Sequence, residues 1–153
     1  HETDKSHVRV VKQLAQDLPL VRLDKGKIEQ VFVNLFMNAL HAMPGGGALA
    51  VRTYATQLTE VGHRIGSRTA DHFTIGDTVV AAEIDDTGMG IPSNQLTKIF
   101  DPFFTTKPTG KGTGLGLSVT SKIVALHGGT IDIRNREEGG VRVTIIFKAQ
   151  ERE

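Results

Sequence analysis

The chain of 153 residues is 39% hydrophobic and 23% charged, with a formal net charge of +1. Such a balance fits one soluble, globular domain with a core of its own, and it excludes a disordered tail or the broad basic surface that nucleic acid or an anionic membrane requires. There is no cysteine, so disulfides, thiolate metal sites and cysteine nucleophiles are excluded, which fits a cytoplasmic setting.

No apolar run is long enough to span a bilayer, and no signal-peptide pattern is visible. His1-Glu2 with no initiator Met suggests a fragment of a longer chain. Val8–Leu14 and Leu20–Leu23 read as short strands, joined by the turn-like Asp17-Leu18-Pro19. Asp24 is placed to cap the helix that follows.

The spacing predicts that helix over Lys27–Met43. Ile28, Val31, Phe32, Leu35, Phe36 and Ala39 form one broad apolar face, and Val33, Met37 and Leu40 extend it. A narrow stripe of Gln30, Asn34, Asn38 and His41 stays polar. A helix apolar nearly all round is expected to be buried. Amides inside a fold are costly unless they are bonded or hold something. Asn34 and Asn38, stacked one turn apart, therefore point to a ligand; the alternative is a solvent-facing stripe or an internal hydrogen-bond network. Pro44-Gly45-Gly46-Gly47 ends the helix.

Ala48–Ala55 reads as a strand. Gln57–Asp77 is polar and aperiodic, a long hairpin or loop. Its His63 and His72 lack the paired spacing of a metal site. Thr78–Asp86 alternates: Val80, Ala82 and Ile84 share a face with Asp86, while Glu83 and Asp85 share the other. A carboxylate on the apolar side needs a donor. Asp86-Thr87-Gly88-Met89-Gly90-Ile91-Pro92 then turns the chain. The functional reading is a carboxylate accepting from a ligand's amino group, with glycines leaving room for a flat ring; the structural reading is a tight turn with a self-bonded Asp.

Ser93 is positioned to cap a short helix to Ile99. Phe100, Phe103 and Phe104 are three of only seven phenylalanines, and their clustering suggests a hydrophobic latch for a lid. Gly110–Leu117 has four glycines in eight residues and runs into a helix-like segment. Glycine permits close backbone approach, and a helix start offers unpaired N–H groups to phosphate. The spacing matches neither a dinucleotide loop nor a Walker A loop. Lys107 and Lys111 flank it. A helix from Leu115 ends at His127-Gly128-Gly129. Two closing strands turn at Glu138-Gly139-Gly140, with Ile131 and Ile133 on one face and Val141, Val143, Ile145 and Phe147 on one face.

The ordered segments QVFVNLFMNALHAM, DDTGMGIP, KIFDPFFTTK and GKGTGLGLS resemble the N, G1, F and G2 boxes of the catalytic, ATP-binding domain of two-component sensor histidine kinases, within a superfamily that includes gyrase, chaperone and mismatch-repair ATPases. The resemblance implies a single domain over residues 1–153. The fold would be a two-layer α/β sandwich of the Bergerat type, a mixed, mostly antiparallel sheet with helices on one face. A mobile ATP lid would span roughly residues 93–113. The dimerisation and phosphoacceptor domain would be absent, and the fragment monomeric.

The same resemblance implies ATP and Mg²⁺ as cofactors. Asn38 would bind the metal, and Asp86 would accept from the adenine amino group. Gly88 and Gly90 would leave room for the base, with Ile91 beside it. Gly112, Gly114 and Gly116 would offer N–H groups to the phosphates, with Thr113, Leu115 and Leu117 in the same loop. His41 and Lys107 would be further phosphate contacts. Asn34 stands where hydrolysing relatives carry a water-activating Glu. An amide is no general base at neutral pH, which favours a kinase over a hydrolase. Ala42 replaces an aromatic that packs on adenine in many sensor kinases, and Val141 stands where a Thr is frequent. The phosphate would go to a histidine on a separate domain of the same parent, and from there to a response regulator. The rival readings are another ATPase of the superfamily, a Ser/Thr kinase acting as an anti-sigma factor, or a non-catalytic nucleotide sensor.

Overall fold

A computed structural model of the chain describes residues 7–59, 73–101 and 116–150. Five strands form one sheet in the order β1-β2-β3-β5-β4: β1 (Val8–Leu14), β2 (Gly47–Gln57), β3 (Thr78–Asp86), β4 (Thr130–Asn135) and β5 (Val141–Lys148). β1 runs parallel to β2, and every other pair is antiparallel. Helix α1 (Lys25–His41) connects the parallel pair, and helix α2 (Gly116–Leu126) precedes β4. This is the expected α/β sandwich with helices on one face.

The core forms where the strand and helix periodicities meet. Ile28, Val31, Leu35 and Ala39 of α1 and Ile123 and Val124 of α2 lie in one cluster with Ile84, Ile131, Ile133, Val143, Ile145 and Phe147. The inward residues of β4 and β5 are thus the apolar set that the alternation predicts, whereas on β3 Ile84 joins this cluster, Ala82 is buried outside it and Val80 is only half-buried. Leu35 is only 2% exposed. Leu35→Ala is expected to cost about 2–5 kcal/mol through lost burial and the cavity left behind, read as a lower midpoint in urea at an unchanged slope.

Asp24 does cap α1: its side chain accepts from the Lys27 N–H at 3.1 Å. The helix begins at Lys25 and ends at His41, two residues earlier at each end than predicted. Its expected burial nearly all round is corrected. Val33 is 57% and Met37 42% exposed, because α1 has a sheet beneath it and α2 beside it but, among the described residues, no neighbour over its remaining side. The predicted strand Leu20–Leu23 is an extended coil. Leu20 O accepts from Gln150 N at 2.7 Å, while Val21 and Leu23 pack against the core. Two of its three apolar side chains reach the core without the segment joining the sheet, while Leu20 stays exposed.

The predicted helix after Ser93 is instead a run of turns over residues 93–100. Bonds close from Gln95 to Pro92, Lys98 to Gln95 and Asp101 to Lys98, each spanning three residues. So short a segment nucleates a helix poorly, and its apolar side, Leu96, Ile99 and Phe100, already reaches the core.

α2 ends in a Schellman pattern, with Gly129 N bonded to Val124 O and Gly128 N to Ala125 O. Gly128 takes φ +72°, the left-handed position that favours glycine there. His127 then ties the two helices. Its Nδ1 lies 2.7 Å from Ile123 O and its Nε2 accepts from Asp24 N at 3.1 Å, an arrangement satisfied by the neutral tautomer protonated on Nδ1. On the opposite face of the sheet, Phe73 and Val79 form a second small cluster with Leu58 and Ile146.

Candidate functional site

Strand β3 ends at Asp86, 6% exposed and on the same face as Ile84, as the alternation predicts. Its Oδ1 accepts from Gly88 N at 2.8 Å and from Val141 N at 3.2 Å. Among the described residues its Oδ2 has no hydrogen-bond partner. Burial pushes the Asp86 carboxyl above the ordinary carboxylate range. The N–H groups of Gly88 and Val141 and the charge of Arg136 pull the other way, and Asp85 adds to the rise.

The loop after Asp86 is tied down at every step. Thr87 Oγ1 accepts from Ala48 N at 3.0 Å and sits 3.6 Å from Met43 Sδ. Met89 N donates to Ala42 O at 3.3 Å. Ile91 exchanges two bonds with the Asn135 side chain, N to Oδ1 at 2.8 Å and O from Nδ2 at 2.7 Å. The chain itself requires glycine at two positions. A Cβ on Gly88 would sit 2.4 Å from Ala42 O, and Gly90 has φ +76°. These constraints exist before any ligand is considered.

The Gly88–Met89 backbone lies against the end of α1 at Ala42. Asn38 is one turn before Ala42 and Asn34 one turn before that, so the predicted polar stripe leads to the Asp86 loop. Both amides are half-buried and His41 is exposed; the amide pair is less enclosed than its helix pattern implied. Asn34 Nδ2 reaches Thr120 Oγ1 of α2 at 3.4 Å. Three segments far apart in sequence therefore converge: the α1 stripe, the loop after β3, and the first turns of α2. Gly116 and Leu117 open α2, and Leu117 packs on the core. Lys107, Gly112, Thr113, Gly114 and Leu115, with Phe103, Phe104, His63 and His72, lie outside the described residues. An open depression of about 690 Å³ on the β1–β2 edge is lined by Lys12, Gln13, Leu14, Ala15, Arg52, Thr53 and Tyr54. It holds none of the predicted site residues, and its Arg52 is already paired with Glu83.

Sequence reasoning missed Asn135 and Arg136. Arg136 Nη1 donates to Asp86 O at 3.0 Å, from 50 positions away in the chain. No local pattern signals such a contact. It arises because β5 pairs with both β3 and β4, which brings the β4–β5 turn beside the end of β3. Beneath it, on the face away from the helices, Arg142 forms a two-bond pair with Asp85 at 2.9 Å each. Glu83, 8% exposed, is bonded by Arg52 and Tyr54. The Glu83 carboxylate and burial raise the Tyr54 hydroxyl above its ordinary range, burial contributing most.

Residues 23–151 match the family described as histidine kinase-, DNA gyrase B-, and HSP90-like ATPase. Sensor kinase CckA of Brucella abortus is 46% identical over 118 residues, which is 76% of this chain and 12% of that protein. The chain thus spans a small part of the relatives that it matches. The solved catalytic domain of histidine kinase ThkA superposes with a TM-score of 0.71 at 28% identity, covering 97% of this chain and 85% of that one. ThkA in complex with response regulator protein TrrA superposes at 0.67 with 26% identity, over 97% of this chain and 36% of that one. The match over most of the chain, the shared fold and the converging α1 stripe and Asp86 loop agree: this chain belongs to the histidine kinase-, DNA gyrase B- and HSP90-like ATPase family, as an ATP-binding catalytic domain of the sensor histidine kinase type.

Proposed function

We propose that this domain binds ATP with Mg²⁺ and passes the γ-phosphoryl group to a histidine on a separate dimerisation domain of its parent protein, which in turn serves a response regulator. The observation that carries the reading is Asp86: a buried carboxylate with one oxygen held by two backbone N–H groups and the other without a partner among the described residues. That second oxygen is an acceptor of the kind the exocyclic amino group of adenine needs. Gly88 and Gly90 would leave room for the base beside it, with Ile91 at its border.

Asn34 supports a kinase over a hydrolase, since an amide bonded to Thr120 cannot take a proton from water. Asn38 and His41 would face the phosphates from α1. Lys107 and the N–H groups of Gly112, Thr113, Gly114, Leu115, Gly116 and Leu117 would face them from a lid over roughly residues 93–113 and the start of α2 that follows it. Among the described residues no cluster of His, Asp and Glu could cage a metal. A single amide oxygen such as that of Asn38 suits Mg²⁺, which keeps waters and phosphate oxygens as its other ligands. When bound, that ion would neutralise charge on the phosphates. What the chain supplies is positioning of the nucleotide and exclusion of water. ThkA, solved with a response regulator, supports the same partner class. The use of ATP supports a cytoplasmic setting. No described helix is long and apolar enough to cross a membrane.

The test mixes this chain with γ-labelled ATP and a separately produced dimerisation domain of a related sensor kinase. Acid-labile, base-stable label on that domain's histidine is expected. Steady phosphate release without transfer would support an ATPase instead, and nucleotide binding with neither would support a sensor module.

A further inference from the structure

Two consecutive side chains at the end of β4 grip the two ends of the Asp86–Ile91 loop. Asn135 mimics a strand partner for Ile91, accepting from its N–H and donating to its carbonyl. Arg136 takes the other end, its Nη1 donating to Asp86 O and to Gly139 O, both at 3.0 Å. The arginine side chain is only 16% exposed and its Nε lies 3.7 Å from Asp85 Oδ2. A guanidinium is a costly group to enclose for turn stability alone. Nη2 serves the turn, donating to Glu138 Oε2 at 3.0 Å, whereas Nη1 also reaches out of the turn to the peptide plane directly after Asp86.

We infer that Asn135 and Arg136 are positioning residues that determine purine specificity, by holding the Asp86 carboxylate at a fixed height and tilt against the C6 substituent of the base. The inference rests on the reading that Asp86 meets adenine. Neither residue touches the nucleotide. Each acts through the backbone that carries Asp86 and the glycines after it. The chemistry is a difference between two bases. Adenine presents an amino donor at C6, and hypoxanthine presents an oxo acceptor. A rigid carboxylate bonds the first and repels the second. A carboxylate free to swing loses part of the bond to adenine and escapes part of the clash with hypoxanthine. Holding Asp86 at both ends of its loop therefore sharpens discrimination, the gain being larger than the sum of two loose contacts because each clamp limits what the other must hold.

The experiment measures Kd for ATP and ITP by calorimetry on the 153-residue chain and on Asn135→Ala, Arg136→Met, Arg136→Lys and Asp86→Asn, with a urea midpoint for each. Arg136→Met and Asn135→Ala are expected to weaken ATP about tenfold while ITP changes less than about twofold, so that the ATP-to-ITP preference falls at least about fivefold. Arg136→Lys, which keeps a donor toward Asp86 O, should recover part of the preference. In the Asp86→Asn background, adding either clamp change should leave the preference where Asp86→Asn put it. Should ATP and ITP weaken equally, or neither change, while Asp86→Asn alone abolishes the preference, the clamp is overturned and the base contact stands. If Asp86→Asn leaves the preference intact, the base contact itself is wrong and the clamp falls with it. If Arg136→Met does not fold, Asn135→Ala and Arg136→Lys decide the same question.

Discussion

Asp86→Asn should weaken ATP binding by about 100-fold or more, on the order of 3 kcal/mol, with a much smaller change in the urea midpoint. The reason is that the native carboxylate accepts on both sides. Oδ1 takes two backbone N–H groups, from Gly88 and Val141, and Oδ2 would take the adenine amino group. An amide has one acceptor and one NH₂. If its oxygen turns toward the backbone, the fold is kept and a donor faces a donor at the base. If it turns toward the base, the two backbone donors meet NH₂ and the loop is disturbed. Isothermal titration with ATP checks this, and unchanged affinity would remove Asp86 from the base contact.

The same carboxylate has a pH signature. Its folded-state pKa is raised above the ordinary value of 3.8 by burial. Between that ordinary value and the raised one, the unliganded fold holds the proton more than the unfolded chain does, so this group's contribution to stability declines as pH rises through the raised pKa. Nucleotide affinity must respond in the opposite sense. The ionised form accepts from adenine, whereas the protonated form presents an O–H or an oxygen of weaker basicity. ATP affinity should be full above the raised pKa and fall as the solution is acidified through it. In Asp86→Asn that component of the pH profile should be absent, which separates it from titration of the phosphates.

The second large effect is expected from Gly140→Ala. Gly140 has φ +86°, and a Cβ there would lie 1.9 Å from Asp86 O, 2.7 Å from Asp86 C and 2.9 Å from Thr87 Cα. The obstructing atoms are backbone, so no side-chain rotation relieves them. The left-handed conformation alone costs about 1–3 kcal/mol in a residue with a Cβ, and separating the β4–β5 turn from β3 would add the loss of the bonds from Val141 and Arg136 to Asp86. A total of about 4 kcal/mol or more in denaturant unfolding is expected, with nucleotide binding lost in whatever fraction stays folded. Gly139 is the matched control. Its φ is +106° but no atom lies within 4 Å of its would-be Cβ, so Gly139→Ala should show the conformational strain alone. Equal costs at the two positions would mean that the turn does not press on Asp86.

Much of the domain was legible because its signals are local. The 3.6-residue spacing of Ile28, Val31, Leu35 and Ala39 and the alternation ending at Ile84 and Asp86 each report one face of one element; the core contains the apolar ones and Asp86 is buried on the same face as Ile84. The cap at Asp24 was equally local. Failures came where a second element shares the outcome. Leu20–Leu23 has strand-like composition, but Val21 and Leu23 pack on the core and the segment takes a bond from Gln150 instead of a ladder of its own. Val33 and Met37 extend the helical apolar face, yet their exposure depends on whether anything packs over that side. The turns after Ser93 have helix-like spacing and too little length to use it.

What the amino-acid order determined by itself was the set of groups available: two amides at helical spacing on α1, a carboxylate on the apolar side of a strand, glycines directly after it, and the family to which that combination belongs. Only the tertiary structure decided how these groups are held. The pairing of β5 with both β3 and β4 carries Asn135 and Arg136 to the two ends of the Asp86 loop, and the pairing of β2 with β3 lays the end of α1 against Gly88. Periodicity and spacing describe neighbours along one element, whereas those contacts join residues 44 and 50 positions apart whose proximity exists only once the sheet has closed its register.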